Sequence, residues 1–210
     1  CPQKPWPAIP GYLKDLPAPK EVYPHTVTFG WDPEPGRTGV PRTTLPPKFT
    51  IDNRQFSERG MSIDQCVRLG NAADPLVQDW VIVNTTPTTH PFHIHINPFQ
   101  VLSIETPVID ATGVASYQTV VPASDYLWRD VVSIPAAVVV NDPAGSTGKA
   151  TQRTLPGRVT IRQRFVDFTG TFVLHCHILA HEDRGMMQLV RVVQPVDYPA
   201  RCQVNVPEHH

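Results

Sequence analysis

Twenty-four of the 210 residues are proline, about twice the ordinary ~5%, and they are spread along the chain. A proline in a helix interior removes a hydrogen bond and clashes with the preceding turn, so long helices have little room. Between the prolines lie short runs rich in β-branched and aromatic residues, which read as strands. His25-Thr26-Val27-Thr28-Phe29, Phe49-Thr50-Ile51, Cys66–Leu69, Asp79–Asn84 and Phe99–Ile104 are the first five. Trp128–Ile134, Val159–Phe165, the segment around Thr171–His177, and Met187–Val193 follow. Val159–Phe165 alternates apolar and polar residues, which predicts one solvated face. Eight or nine short strands with turn-rich links predict an all-β fold, a Greek-key β-sandwich or barrel.

Residues 1–20 hold Pro2, Pro5, Pro7, Pro10, Pro17 and Pro19. They read as an extended proline-rich linker, or the tail of a preceding domain, rather than a packed unit. Residues 21–210 read as one domain, with a long polar and mobile loop at 135–157 and a C-terminal tail at 196–210. A Pro/Gly/Arg-rich loop occupies 32–48. The formal net charge is −1 and no basic stripe is present, which argues against a nucleic-acid partner. No apolar run approaches the ~20 residues of a membrane-spanning helix.

The chemistry concentrates in two places. Six of the nine histidines fall in two clusters, His90/His93/His95 and His175/His177/His181. In the second, Cys176 stands between two histidines on an apolar, β-prone run. Adjacent side chains of a strand point to opposite faces, so Cys176 is expected to face one way and His175 and His177 the other. Imidazole and thiolate together favour borderline and soft metal ions. Cys176, His181 and Met186 form C-x4-H-x4-M; two His, one Cys and a weak axial Met define a blue-copper site, and His90 is the natural fourth ligand. Structural zinc would prefer more cysteines in closer pairs. His93 and His95 share a face if extended, as do His175 and His177, so these four can converge on a second metal cluster behind Cys176. Asn84-Thr85-Thr86 has the form of a glycosylation sequon, but it is read here as the close of a strand beside the metal site. His209 and His210 are given no chemistry.

With Cys176 taken as a ligand, Cys1, Cys66 and Cys202 remain. An odd remainder implies one disulfide plus a free or interchain thiol. A disulfide implies an oxidising setting, hence a secreted or periplasmic protein.

These motifs, H-x-x-H-x-H at His90–His95 and H-C-H-x-x-x-H-x-x-x-x-M from His175 to Met186, resemble those of the C-terminal cupredoxin domain of multicopper oxidases. That family includes laccases, bilirubin oxidases, bacterial spore-coat laccases and cuprous oxidases. The resemblance covers roughly residues 21–195 and implies a cupredoxin-like fold. It also implies that His90, Cys176 and His181 bind type 1 copper with Met186 axial, that His93 binds type 2 copper, and that His95, His175 and His177 bind the type 3 pair. Glu182 matches a glutamate that relays protons to the oxygen-reducing cluster in bacterial members; it reads equally as a solvated loop acid. The implied activity is one-electron oxidation of a phenolic, aromatic or metal-ion donor, with electrons passing from Cys176 to His175 or His177 and dioxygen reduced to water.

The family needs eight cluster histidines, four of them from two H-x-H motifs in an N-terminal domain. No H-x-H occurs here outside the two motifs already used. The chain is therefore expected to be a C-terminal fragment or one subunit of a split enzyme, with N-terminal cupredoxin domains as its partner. Its start at Cys1 rather than Met suits a processed or truncated piece, and Cys1 or Cys202 is left to bridge to the absent part. Two rivals stand beside this reading. A single-domain blue-copper electron carrier has no use for His93, His95, His175 and His177. The copper nitrite reductase family lacks histidines on both sides of the type 1 cysteine.

Overall fold

Alternation sets the architecture. In the strand Gly157–Phe165 every second residue is buried, while Arg158, Thr160, Arg162 and Arg164 stay half-exposed. A period of two with one apolar face is what a strand over a core requires, and the solvated face expected for this segment is present. The computed structural model describes residues 11–20, 25–32, 48–58, 63–71, 73, 75–121, 128–142, 151–198 and 200–202.

Among the described residues there are fourteen strands rather than eight or nine. They are β1 (His25–Asp32), β2 (Lys48–Ile51), β3 (Gln65–Arg68), β4 (Leu76–Asn84), β5 (His90–Ile94), β6 (Phe99–Ile109) and β7 (Ala115–Val120). β8 (Trp128–Arg129), β9 (Val131–Ile134), β10 (Val138–Asp142), β11 (Thr151–Leu155), β12 (Gly157–Phe165), β13 (Gly170–Cys176) and β14 (Met187–Val193) complete them. A seven-stranded sheet runs β2-β1-β4-β12-β6-β7, with β8 also on β6. A five-stranded sheet runs β3-β14-β13-β5-β9. Among the described residues, only the β1–β4 and β3–β14 pairs are parallel. Phe29, Trp80, Phe92, Phe99, Phe165, Ile161, Leu174 and Met186 are fully buried in one core cluster. Each such side chain contributes roughly 1.5–3 kcal/mol. The expected all-β sandwich is the observed fold.

Several local expectations are corrected. Trp128–Ile134 is not one strand: β8 pairs with β6 in the larger sheet and β9 with β5 in the smaller, and the chain changes sheets at Asp130. The 135–157 loop is largely a hairpin, β10 on β11, in which Val140 and Leu155 are buried. Its β-branched flanks support pairing that the polar stretch between them obscures; residues 143–150 lie outside the described residues. β7 has a mostly exposed pattern with little amphipathic signal, and was not anticipated. Most of the 32–48 loop is likewise outside the described residues.

The described part of the proline-rich start, 11–20, is tied to the larger sheet rather than free of it. Leu16 is buried, its amide donates to Gln100 Oε1 (2.8 Å), and Gln100 Nε2 donates to Asp15 Oδ1 (2.8 Å). Trp128 Nε1 donates to the Leu13 carbonyl (2.7 Å). Cys66 is paired with Cys202 across 136 residues of sequence. Cys202 is therefore not left to bridge outward, and Cys1 lies outside the described residues. The pair anchors the tail to β3.

Two glycines are required by geometry. Gly185 (φ +92°) ends the short helix α1 (Leu179–Glu182), donating to the Glu182 carbonyl (2.9 Å), in the left-handed conformation that glycine accepts without strain. Gly157 lies under Pro135: an added Cβ would fall 1.9 Å from the Pro135 carbonyl oxygen. We expect Gly157→Ala to destabilise the chain by about 1–3 kcal/mol through forced backbone displacement; urea unfolding of the two proteins measures it.

Candidate metal centre

β13 is the middle strand of the five-stranded sheet, between β14 and β5. Its register against β5 sets His175 opposite His93 and Cys176 opposite Phe92. The two faces of that strand end then diverge, as alternation requires.

On the inward side Cys176, which is free and buried, meets His90 and His181. Its Sγ lies 3.4 Å from His90 Nδ1 and 3.5 Å from His181 Nδ1, and the two ring nitrogens are 3.1 Å apart. Three donors each about 2.0–2.3 Å from one ion keep mutual separations of this order. A thiolate and two imidazole nitrogens in a trigonal set suit a soft or borderline ion. Met186 is fully buried in the same core cluster. Its carbonyl accepts from the Cys176 amide (3.0 Å), and its amide donates to the His181 carbonyl (3.0 Å). Backbone bonds thus lock the Cys176–Met186 loop.

On the outward side His93, His95 and His175 bring one ring nitrogen each within 4.8 Å of one another. His95 Nε2 and His175 Nε2 are 3.3 Å apart. His177 lies with this group, its ring centroid 5.3 Å from that of His93. His175 is buried, His93 half-buried, and His95 and His177 are exposed. His93 Nδ1–H donates to the Asp130 carbonyl (2.8 Å). His175 Nδ1 is 3.1 Å from the Cys176 carbonyl and 3.2 Å from Glu182 Oε2, so it too carries the proton. In both rings Nε2 is left to face the cluster, the usual division of labour when a carbonyl or carboxylate orients a ligating imidazole.

Electrostatics fit a metal-binding role. Burial, and then the neighbouring His181, lower the pKa of His90 to about 4. Burial and then Arg184 lower that of His181; for His95, exposed overall, the partial desolvation of its ring beside His175 and then His93 lower it. These rings are neutral at pH 7, the form that ligates. Burial pushes the Cys176 thiol up to about 11, so a bound cation has to displace its proton.

Every histidine expected at the two clusters is there. Glu182 is in α1, directly after His181, with its carboxylate on His175; its half-burial separates it from a freely solvated acid. His25 stands apart, stacked on Trp80 (5.1 Å) with Gln65 3.4 Å away. Asn84 is wholly buried, so the sequon cannot carry a glycan on the folded chain. Sequence reasoning missed three groups. Phe49 stacks on His181 (4.1 Å). The Asp130 carbonyl orients His93. Thr86 Oγ1 lies 2.7 Å from His90 Nε2; its position four residues before His90 was the available signal.

The sequence matches the multicopper oxidase family over residues 41–141 and 149–196. It is 29% identical over 154 residues to a laccase of Bacillus stratosphericus, covering 70% of this chain and 25% of that one. It is 26% identical over 199 residues to the bilirubin oxidase of Albifimbria verrucaria, covering 94% and 27%. The chain thus spans about a quarter of the length of these relatives. Its fold is similar to that of the McoA multicopper oxidase from Aquifex aeolicus, with a TM-score of 0.53 at 23% identity over 85% of this chain and 31% of that one.

The metal-free chain should lose stability as pH falls from about 6.5. A histidine held below its unfolded pKa is protonated first in the unfolded chain, so stability is full above 6.5 and declines towards the folded value. His90, with a folded pKa of about 4, carries the largest share, about 3 kcal/mol over the full range. Urea unfolding at pH 7 and pH 5 should show the decline, and His90→Gln should flatten it.

Proposed function

This chain belongs to the multicopper oxidase family, and we propose that it carries the donor-side copper and half of the oxygen-reducing cluster of a laccase-like oxidase. The observation that supports this most is the back-to-back arrangement at β13: a Cys-His-His set inside, a four-histidine set outside, joined by consecutive residues. His90, Cys176 and His181 would hold type 1 copper, with Met186 supplying a further, weaker thioether ligand. His93 serves type 2 copper, and His95, His175 and His177 the type 3 pair. Bound copper supplies one-electron redox chemistry at the first site and the reduction of dioxygen to water at the second.

The protein's part is placement and proton supply. The Cys176 backbone joins its thiolate to the flanking His175 and His177 by a short covalent path. Glu182, on the Nδ1 side of His175, holds a carboxylate where protons are needed. Half-exposed His181, stacked on Phe49, presents the face at which a small reducing donor gives up electrons. That donor is phenolic, aromatic or a metal ion; relatives named laccase and bilirubin oxidase favour an organic one, and the similar multicopper oxidase of Campylobacter jejuni, a metallo-oxidase, supports the metal-ion class.

Four more ligands are needed, and N-terminal cupredoxin domains in a separate chain or another part of the protein provide them. They cover the exposed His95 and His177, beside which Ile96 (53% exposed) and Leu179 (71%) leave apolar surface uncovered. The Cys66–Cys202 pair supports a secreted or periplasmic setting. A lone electron carrier would leave the outer histidines without purpose.

Metal analysis tests the proposal. The chain alone should hold one copper tightly and four when joined to its N-terminal part. Cys176→Ser should abolish the intense thiolate-to-copper absorption, and Met186→Leu should raise the reduction potential in a redox titration. A chain that takes up no copper at Cys176, or whose potential is unmoved by Met186→Leu, contradicts the assignment.

A further inference from the structure

His90 is the ligand that arrives from a different strand, β5, and its ring must present Nδ1 to Cys176. Behind the ring stands a closed set of hydrogen bonds. Asn84 Nδ2 donates to two carbonyls, those of Thr88 (2.7 Å) and Pro135 (2.9 Å). Two carbonyl acceptors on one side of the amide settle which end is nitrogen, so Oδ1 points the other way. Asn84 Oδ1 accepts from the Thr86 amide (2.9 Å) and lies 2.8 Å from Thr86 Oγ1. Thr86 Oγ1 is also 3.0 Å from the Thr88 carbonyl.

The Thr86 hydroxyl has one proton and faces two oxygens that can only accept. If that proton went to His90 instead, three oxygens would meet lone pair to lone pair in a buried place, a costly arrangement. The hydroxyl therefore donates towards Asn84 Oδ1 or the Thr88 carbonyl, and its lone pair receives the proton of His90 Nε2, 2.7 Å away. Thr88 Oγ1, 3.4 Å from the same nitrogen, is a longer second acceptor. A neutral imidazole with its proton on Nε2 has its lone pair on Nδ1, the atom 3.4 Å from Cys176 Sγ.

We propose that Asn84 and Thr86 are positioning residues that fix the tautomer and ring orientation of His90 before any metal binds, a role that rests on the copper reading of the site for its purpose but not for its detection. The segment that reads as a sequon thus serves as a brace for the ligand. Asn84 is anchored in turn by its strand pairing with Gly157, whose lack of a side chain lets the Pro135 carbonyl approach.

Two measurements test it. Long-range nitrogen–proton NMR of the metal-free chain at mildly alkaline pH should find the His90 proton on Nε2; a proton on Nδ1 overturns the proposal. Titration with cobalt(II), followed by the thiolate-to-cobalt absorption, should then show a 10–100-fold weaker affinity in Thr86→Val, the usual cost of losing an orienting partner, with Thr86→Ser close to wild type. Equal affinity in Thr86→Val overturns the proposal, as does Thr86→Ser behaving like Thr86→Val. If Thr86→Val does not give a cooperative melt, the wild-type tautomer and Thr86→Ser still decide. A wild-type chain that shows no thiolate absorption with cobalt or copper counts against the metal site itself, and the tautomer measurement still decides the role of the brace.

Discussion

The side-chain alternation of β13 governs this molecule. Because neighbouring residues of a strand project oppositely, Cys176 and the two histidines beside it serve separate places while remaining joined by covalent bonds. A shift of one residue against β5 would move His175 from His93 and turn the thiol outward. The register is held by burial of Phe172, Leu174 and Cys176 on the core side and by pairing with β14 over Gly170–His175. Core packing and the placement of the chemically active groups are therefore one constraint.

Around that strand the protein assigns each ring nitrogen a task. His93 and His175 use Nδ1 on oxygen acceptors and offer Nε2 outward, while His90 does the reverse, turning Nε2 to Thr86 and Nδ1 inward. The acceptors come from distant parts of the sequence. Asp130 is at the point where the chain leaves one sheet for the other, Glu182 is in the turn of helix that also presents His181, and Thr86 is near the start of the loop from β4 to β5. Each would be an ordinary polar residue elsewhere. Burial lowers the pKa of His90 and of His181, so the inner site meets a cation with free lone pairs rather than with charge repulsion.

Much of the candidate site was legible beforehand because it is built from short-range spacing. His175, Cys176, His177, His181 and Met186 lie within twelve consecutive positions, and His90, His93 and His95 within six. Strand geometry alone predicts their faces. The fold class was legible for a similar reason, since proline density and short β-branched runs leave few alternatives. Strand boundaries were less so. Trp128–Ile134 looks continuous because nothing local marks the change of sheet at Asp130, and β10 and β11 were hidden by the polar stretch between them. The pairing of Cys66 with Cys202 depends on where the tail comes to rest, which spacing does not encode.

The sequence by itself determined which atoms are available for metal chemistry, that they fall in two sets, and that the sets face apart, because a strand's period of two is a local property of the backbone. Tertiary structure alone decided that the two motifs meet. It placed β5 beside β13, turned His90 to within 3.4 Å of the thiol, and supplied the Asn84, Thr86, Asp130 and Glu182 partners. Those contacts join residues through sheet register and close packing, and neither can be read from neighbours along the chain.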